Sequence, residues 1–209
     1  MHLVVIDSDG SNRQVLTDGT EVIVYPTWFP DGDRLVVDVR RKGIVAIDLG
    51  SRAQELLFEP NINSPRTPAL SPDGSRIAYT ASPPDESPEL YVADLNGDNV
   101  VRLTDHEDQD NNPSWSPDGS AIAFETHRAP PPGIFIVNAD GTGMRPLTAS
   151  PRSVSLESPD WSPDGRYLAF HAFGHGNMDL FILDVAVAMS AVLGESWGNL
   201  KREVGGCCE

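Results

Sequence analysis

Trp115-Ser116-Pro117-Asp118-Gly119-Ser120-Ala121-Ile122-Ala123-Phe124 reads as a strand end, a tight turn and the start of a second strand. Proline presets φ for the turn, aspartate bonds its own backbone, and glycine accepts φ > 0. Ile122-Ala123-Phe124 alternates large, small, large, the period of two that marks a strand. Its large residues share one face. Its small residue lets a neighbouring sheet approach closely on the other. The stretch is a β-hairpin.

The hairpin recurs. Pro-Asp-Gly stands at Pro30-Asp31-Gly32, Pro72-Asp73-Gly74, Pro117-Asp118-Gly119 and Pro163-Asp164-Gly165, with glycine-to-glycine spacings of 42, 45 and 46 residues. Upstream of the turns stand Pro26-Thr27-Trp28, Pro68-Ala69-Leu70, Pro113-Ser114-Trp115 and Pro159-Asp160-Trp161; downstream stand Leu35-Val36-Val37, Ile77-Ala78-Tyr79, Ile122-Ala123-Phe124 and Leu168-Ala169-Phe170. A further strand follows each hairpin: Ile44-Val45-Ala46-Ile47-Asp48, Leu90-Tyr91-Val92-Ala93-Asp94, Ile134-Phe135-Ile136-Val137-Asn138 and Leu180-Phe181-Ile182-Leu183-Asp184. A fifth copy, Leu3-Val4-Val5-Ile6-Asp7, opens the chain with no hairpin before it. These nearly continuous apolar runs predict strands buried on both faces. Turns such as Asp9-Gly10-Ser11, Asn96-Gly97-Asp98 and Asp140-Gly141-Thr142 lead to short outer strands ending in Leu16-Thr17, Leu103-Thr104 and Leu147-Thr148.

Each unit is thus four short antiparallel strands. Radial repetition of such sheets makes an all-β fold, a β-propeller with four to five blades from this chain. The expected division is a half-blade over 1–20, blades starting near 21, 63, 108 and 154, and a divergent tail over 185–209. In the tail no Asp-Gly turn follows Asp184 and no Leu-Thr closes the unit, so it reads as a decayed outer strand or a short helix over 186–193.

Composition narrows the function. The formal charge of −16 disfavours nucleic-acid phosphates and anionic membrane surfaces, and favours cations or basic protein surfaces. No run approaches the roughly 20 apolar residues that span a bilayer. The segment after Met1 has neither the basic start nor the apolar core of a signal peptide. Cys207 and Cys208 are adjacent, which suits neither a mutual disulfide nor a zinc site.

The Trp-Ser-Pro-Asp-Gly motifs at residues 115–119 and 161–165, and the turn at residues 138–143 leading to Leu147-Thr148, resemble the TolB-type, or WD-like, propeller repeat. The resemblance covers Leu3 to about Asp184. It implies a non-catalytic scaffold that binds a protein partner through a propeller face or axial mouth, often in the periplasm. Related propellers also gate peptidases or act as metal-dependent lyases, so the propeller portion of an enzyme is the alternative. Leu70 stands where the other units carry tryptophan, and Phe29 where they carry serine. Four hairpins are fewer than the family usually carries. That leaves a small or open ring, a piece of a longer chain, or one part of an assembly that includes a homo-oligomer.

Candidate sites follow from repeat position. The polar run 105–112 carries Asp105, Glu107, Asp108, Asp110 and Asn111 and precedes an inner strand, so it is expected at one mouth of the ring. Glu157 holds the place before Pro159 that Asn111 holds before Pro113. Together they form an expected acidic mouth for a basic peptide, with room for a divalent cation in the channel and no other cofactor. Gly194-Glu195-Ser196-Trp197-Gly198 fits a nucleophile elbow, but no histidine or aspartate follows it to complete a triad. The Asp-Gly turns lack the further acidic positions of a calcium loop. His127, His171 and His175 follow the second strands of the last two hairpins, where surface histidines are the expectation and a metal site the alternative.

Overall fold

The computed structural model describes residues 2–59, 65–128, 132–148, 154–174, 177–186 and 188. Ser196, His175, Cys207 and Cys208 lie outside them, and of the span 186–193 only Ala186 and Ala188 are described. The described residues form strands in five sheets. A two-stranded hairpin comes first, β1 (Val4–Val5) with β2 (Gln14–Val15). The first full blade follows: β3 (Ile23–Trp28), β4 (Arg34–Val39), β5 (Gly43–Asp48) and β6 (Gln54–Phe58). The second is β7 (Arg66–Leu70), β8 (Arg76–Ala81), β9 (Glu89–Asp94) and β10 (Val101–Arg102). The third is β11 (Asp110–Trp115), β12 (Ala121–Thr126), β13 (Gly133–Asn138) and β14 (Arg145–Pro146). The fourth has three described strands, β15 (Val154–Trp161), β16 (Tyr167–Gly174) and β17 (Asn177–Asp184). Within each blade neighbours pair antiparallel in chain order.

The repeat motifs have direct physical roles. The turn glycines Gly32, Gly74, Gly119 and Gly165 all lie near φ +70°, where a side chain would be strained. The turn aspartates accept backbone N–H groups two residues on, as Asp73 does from Ser75 at 3.0 Å and Asp118 from Ser120 at 3.0 Å. The serine before each proline ties the turn across its base: Ser71 Oγ donates to Asp73 at 2.6 Å and accepts the Arg76 N–H at 2.9 Å. The first blade, with Phe29 in place of serine, buries that ring and stacks Arg34 over it at 4.0 Å. The Leu-Thr ending is equally regular. Leu16, Leu103 and Leu147 are buried. The hydroxyls of Thr17, Thr104 and Thr148 accept the N–H of Leu3, Leu90 and Ile134 at 3.0, 2.9 and 2.9 Å.

The core lies between blades. Val36, Ile44 and Ala46 of the first blade pack on Leu70, Ile77 and Tyr79 of the second. Ala78, Leu90 and Val92 of the second pack on Trp115, Ile122 and Phe124 of the third. Ala123, Ile134 and Ile136 of the third pack on Leu156, Leu168 and Phe170 of the fourth. The small central residue therefore faces forward and the large ones face back. Trp115 is only 6% exposed, and its indole Nε1 donates to the Ala69 carbonyl of the preceding blade at 3.0 Å.

The expectation that the apolar runs are buried on both faces is corrected at the end of the array. On β17, Leu180 and Ile182 are 51% and 47% exposed, although they match the buried Ile134 and Ile136; no further blade covers that face among the described residues. Trp28 is 51% exposed, because the half-blade before it offers no inner strand to pack on. Trp161 is half-buried, and its Nε1 is shielded from solvent without a hydrogen-bond partner.

Truncating Trp115 to alanine is expected to cost about 3–5 kcal/mol, and Trp28→Ala less than about 1 kcal/mol. Chemical denaturation of both variants measures this; equal losses would contradict the blade-on-blade packing. The turn network holds the Asp73 carboxyl down at about 2, chiefly through the Ser71 hydroxyl. A folded-state value below the ordinary 3.8 gives stability that is present above that value and lost as pH falls toward 2. Ser71→Ala is expected to raise the Asp73 value toward 3.8, read by NMR titration; an unmoved value would contradict the assigned cause.

Candidate functional site

The inner strands β3, β7, β11 and β15 each carry the same irregularity. Their register with the next strand shifts between Val24 and Thr27, Arg66 and Ala69, Asn111 and Ser114, and Glu157 and Asp160. In every case the shift contains a residue before proline with positive φ: Tyr25 at 53°, Thr67 at 46°, Asn112 at 50° and Ser158 at 53°. This conformation is costly for residues other than glycine, and persists only where surroundings enforce it. At Ser158 and Thr67 a carboxylate of the preceding blade does so. Glu125 Oε2 accepts the Ser158 N–H at 3.0 Å and Asn112 Nδ2 at 2.8 Å, tying the third blade to the fourth. Asp38, at the matching place in the first blade, accepts the Thr67 backbone N–H of the second. Both carboxylates are buried, and burial raises the Asp38 value against the pull of Arg66 and Arg40.

The four bulged residues and the prolines after them line one axial channel. Its cavity, about 500 Å³, runs past Tyr25, Thr67, Asn112 and Ser158 to Trp28 and Trp115. A second cavity of about 500 Å³ opens at the end where the inner strands begin, bordered by Asp38, Arg40, Arg66, Gln109, Asn111 and Glu125. Of the residues expected at an acidic mouth, only Asn111 lines this cavity, beside Arg40 and Arg66.

The mouth residues separate into two groups. Asp105 and Glu107 are exposed and Asp108 is half-exposed, on the loop 105–109. Arg102 holds that loop, pairing with Asp105 and with Glu86, each at 2.9 Å. Ser87 Oγ donates to the Glu107 carbonyl at 2.6 Å, leaving the Glu107 side chain outward. Asn111 borders the mouth cavity. Glu157 is half-buried opposite His171 on β16, and among the described residues no hydrogen bond or ion pair joins it to the loop. Asp110 departs from the expected mouth: it is fully buried and paired through both oxygens with Arg128. A buried carboxylate needs such a partner, so Asp110 is a structural anchor. His127 and His171 are exposed, and no group of three His, Cys, Asp or Glu suited to a metal ion occurs among the described residues.

Three buried carboxylates escape a reading by strand pattern: Asp38, Glu125 and Glu89. Glu89 accepts the Thr104 hydroxyl and the His106 N–H, with Arg102 at 3.5 Å, and burial pushes its value up. The signal available was an acidic residue inside or beside an apolar run, as in Val37-Asp38-Val39 and Phe124-Glu125.

The TolB beta propeller domain model matches residues 1–200. The Tol-Pal system protein TolB of Anaeromyxobacter dehalogenans (strain 2CP-C) is 37% identical over 116 residues, which is 54% of this chain and 26% of that protein. TolB from Acinetobacter baumannii superposes with a TM-score of 0.75 at 25% identity, over 88% of this chain and 46% of that one. A putative TolB from Agrobacterium tumefaciens superposes with a TM-score of 0.77 at 21% identity, over 88% and 66%. The match thus spans about a quarter of the A. dehalogenans relative. The match of the domain model along nearly the whole sequence, with the interlocked blades described above, shows that the chain belongs to the TolB beta propeller family.

Proposed function

We propose that the chain is a protein-binding scaffold whose axial channel and acidic mouth receive a segment of a protein partner. The observation that carries this reading is the repeated bulge. Four equivalent inner strands turn Tyr25, Thr67, Asn112 and Ser158 toward one continuous channel. Strained backbone kept at equivalent places argues for a role of the surface it shapes. Tyr25 and Trp28 are half-exposed along it, and such residues dominate binding energy at protein interfaces. The outward carboxylates Asp105, Glu107 and Asp108, with Asn111 and Glu157 on the entering strands, favour a Lys- or Arg-rich partner. The same charge suits a divalent cation in the channel. The relative's name points to a component of a Tol–Pal system as the partner, and so to work outside the cytoplasm. The reading is of a binding module without catalysis of its own.

The test is calorimetry with purified Tol–Pal components at low and high salt, with calcium and manganese titrated separately. The variant Glu107→Gln, Asp108→Asn, Glu157→Gln is expected to weaken partner binding at least tenfold, and Tyr25→Ala severalfold. Salt should weaken the parent complex, because the screening length falls to about 3 Å at 1 M. A partner bound equally well by all variants and at all salt concentrations would overturn the mouth as the site.

A further inference from the structure

Three junctions between successive blades carry three different pairs of side chains at two facing repeat positions. The residue two after the turn glycine is Arg34, Arg76 and Ala121 in the first three blades. The residue two after the inner-strand proline of the following blade is Leu70, Trp115 and Trp161. At the first junction there is no aromatic ring to meet, and Arg34 lies over Phe29 of its own blade. At the second, the Arg76 guanidinium lies over the Trp115 ring, 4.8 Å from its centre. At the third, alanine replaces the arginine but the tryptophan remains. No guanidinium lies over Trp161 among the described residues, and a cavity of about 620 Å³ opens there instead.

We propose that this cavity is a receptor for a guanidinium group, carried by an arginine of a protein partner. The chain itself supplies the template, since Arg76 fills the matching place one blade earlier. A planar cation stacks on an indole face through the ring quadrupole, and arginine does so better than lysine. Ala121, Trp161, Asp118 and Asp164 line the cavity. Hydroxyl donation from Ser116 and Ser162 holds both carboxyls below the usual range, so they stay ionised. In each carboxylate Oδ1 takes the turn donors, which leaves Oδ2 for a charged ligand. Arg145 and Arg166 also border the cavity, and the Arg166 charge acts on Asp164, but no hydrogen bond or ion pair between the Arg166 guanidinium and that carboxylate occurs among the described residues. Arg145 donates to the Gly143 carbonyl at 3.3 Å, and Arg166 lies over its own Tyr167 and bonds Asp184 at 3.4 Å. The third junction is also less tightly closed than the second. Trp115 Nε1 is bonded to the preceding blade, whereas Trp161 Nε1 has no partner. The site lies at the turn end of the inner strands, away from the acidic mouth, and does not depend on it.

The test uses the full chain, with the peptide acetyl-Gly-Arg-Gly-amide and its citrulline counterpart as probes. Binding is read from the Trp161 indole resonance and by calorimetry. The arginine peptide is expected to shift that resonance saturably, and the citrulline peptide to bind at least tenfold more weakly. Ala121→Arg rebuilds the Arg76–Trp115 pair within the chain and is expected to abolish the calorimetric signal. Trp161→Leu installs the residue that the second blade tolerates as Leu70, and is expected to abolish it too. No saturable shift, equal binding of the citrulline peptide, or undiminished binding by either folded variant would overturn the proposal.

Discussion

Each blade of this chain has a forward face of one small and two branched apolar side chains, and only the inner half of the next blade covers it. Val36, Ile44 and Ala46 are buried because Leu70, Ile77 and Tyr79 lie on them; Ala123, Ile134 and Ile136 are buried because Leu156, Leu168 and Phe170 do. Leu180 and Ile182, in the same places on the fourth blade, stand half in solvent. A four-stranded sheet cannot hide two apolar faces by itself, so stability is shared between nearest neighbours, as in other repeat arrays. The polar contacts reinforce the same junctions. Asp38 and Glu125 reach across them to the N–H of a bulged residue, and Trp115 reaches back to a carbonyl.

That dependence explains what the sequence could reveal. Hairpins and their order were legible because Pro-Asp-Gly and Leu-Thr act within one unit: the turn closes on Ser71, Asp73 and Arg76, and Thr104 closes on Leu90. Contacts between units were not. Nothing local marks Asp110 as the partner of Arg128, 18 residues on, so it read as one more acid at the mouth. The positive φ of Thr67 and Ser158 runs against the extended preference of a residue before proline, and the neighbouring blade's carboxylate is what sustains it. Trp115 and Trp161 share a motif yet differ in what meets them: Arg76 lies over Trp115, and Ala121 stands at the matching place before Trp161.

The division between constant and variable positions also organises function. The apolar positions that build the junction cores repeat closely from blade to blade. Positions that face the axis vary more: Tyr25, Thr67, Asn112 and Ser158 share a backbone conformation but range from a phenol through two small hydroxyls to an amide. A rigid frame with a varied lining suits recognition of an irregular protein segment better than chemistry on a small substrate. The formal charge of −16 adds a longer-range field to that lining.

Native-state hydrogen exchange tests the central dependence most directly, because β13 and β17 hold the same place in their blades and, among the described residues, only β13 has a following blade over it and a strand on its outer edge. Local stability should follow coverage by a neighbour. The account predicts strong protection of the β13 amides from Ile134 to Val137, and protection at least tenfold weaker for the β17 amides from Leu180 to Leu183. Equal protection of the two strands would contradict it.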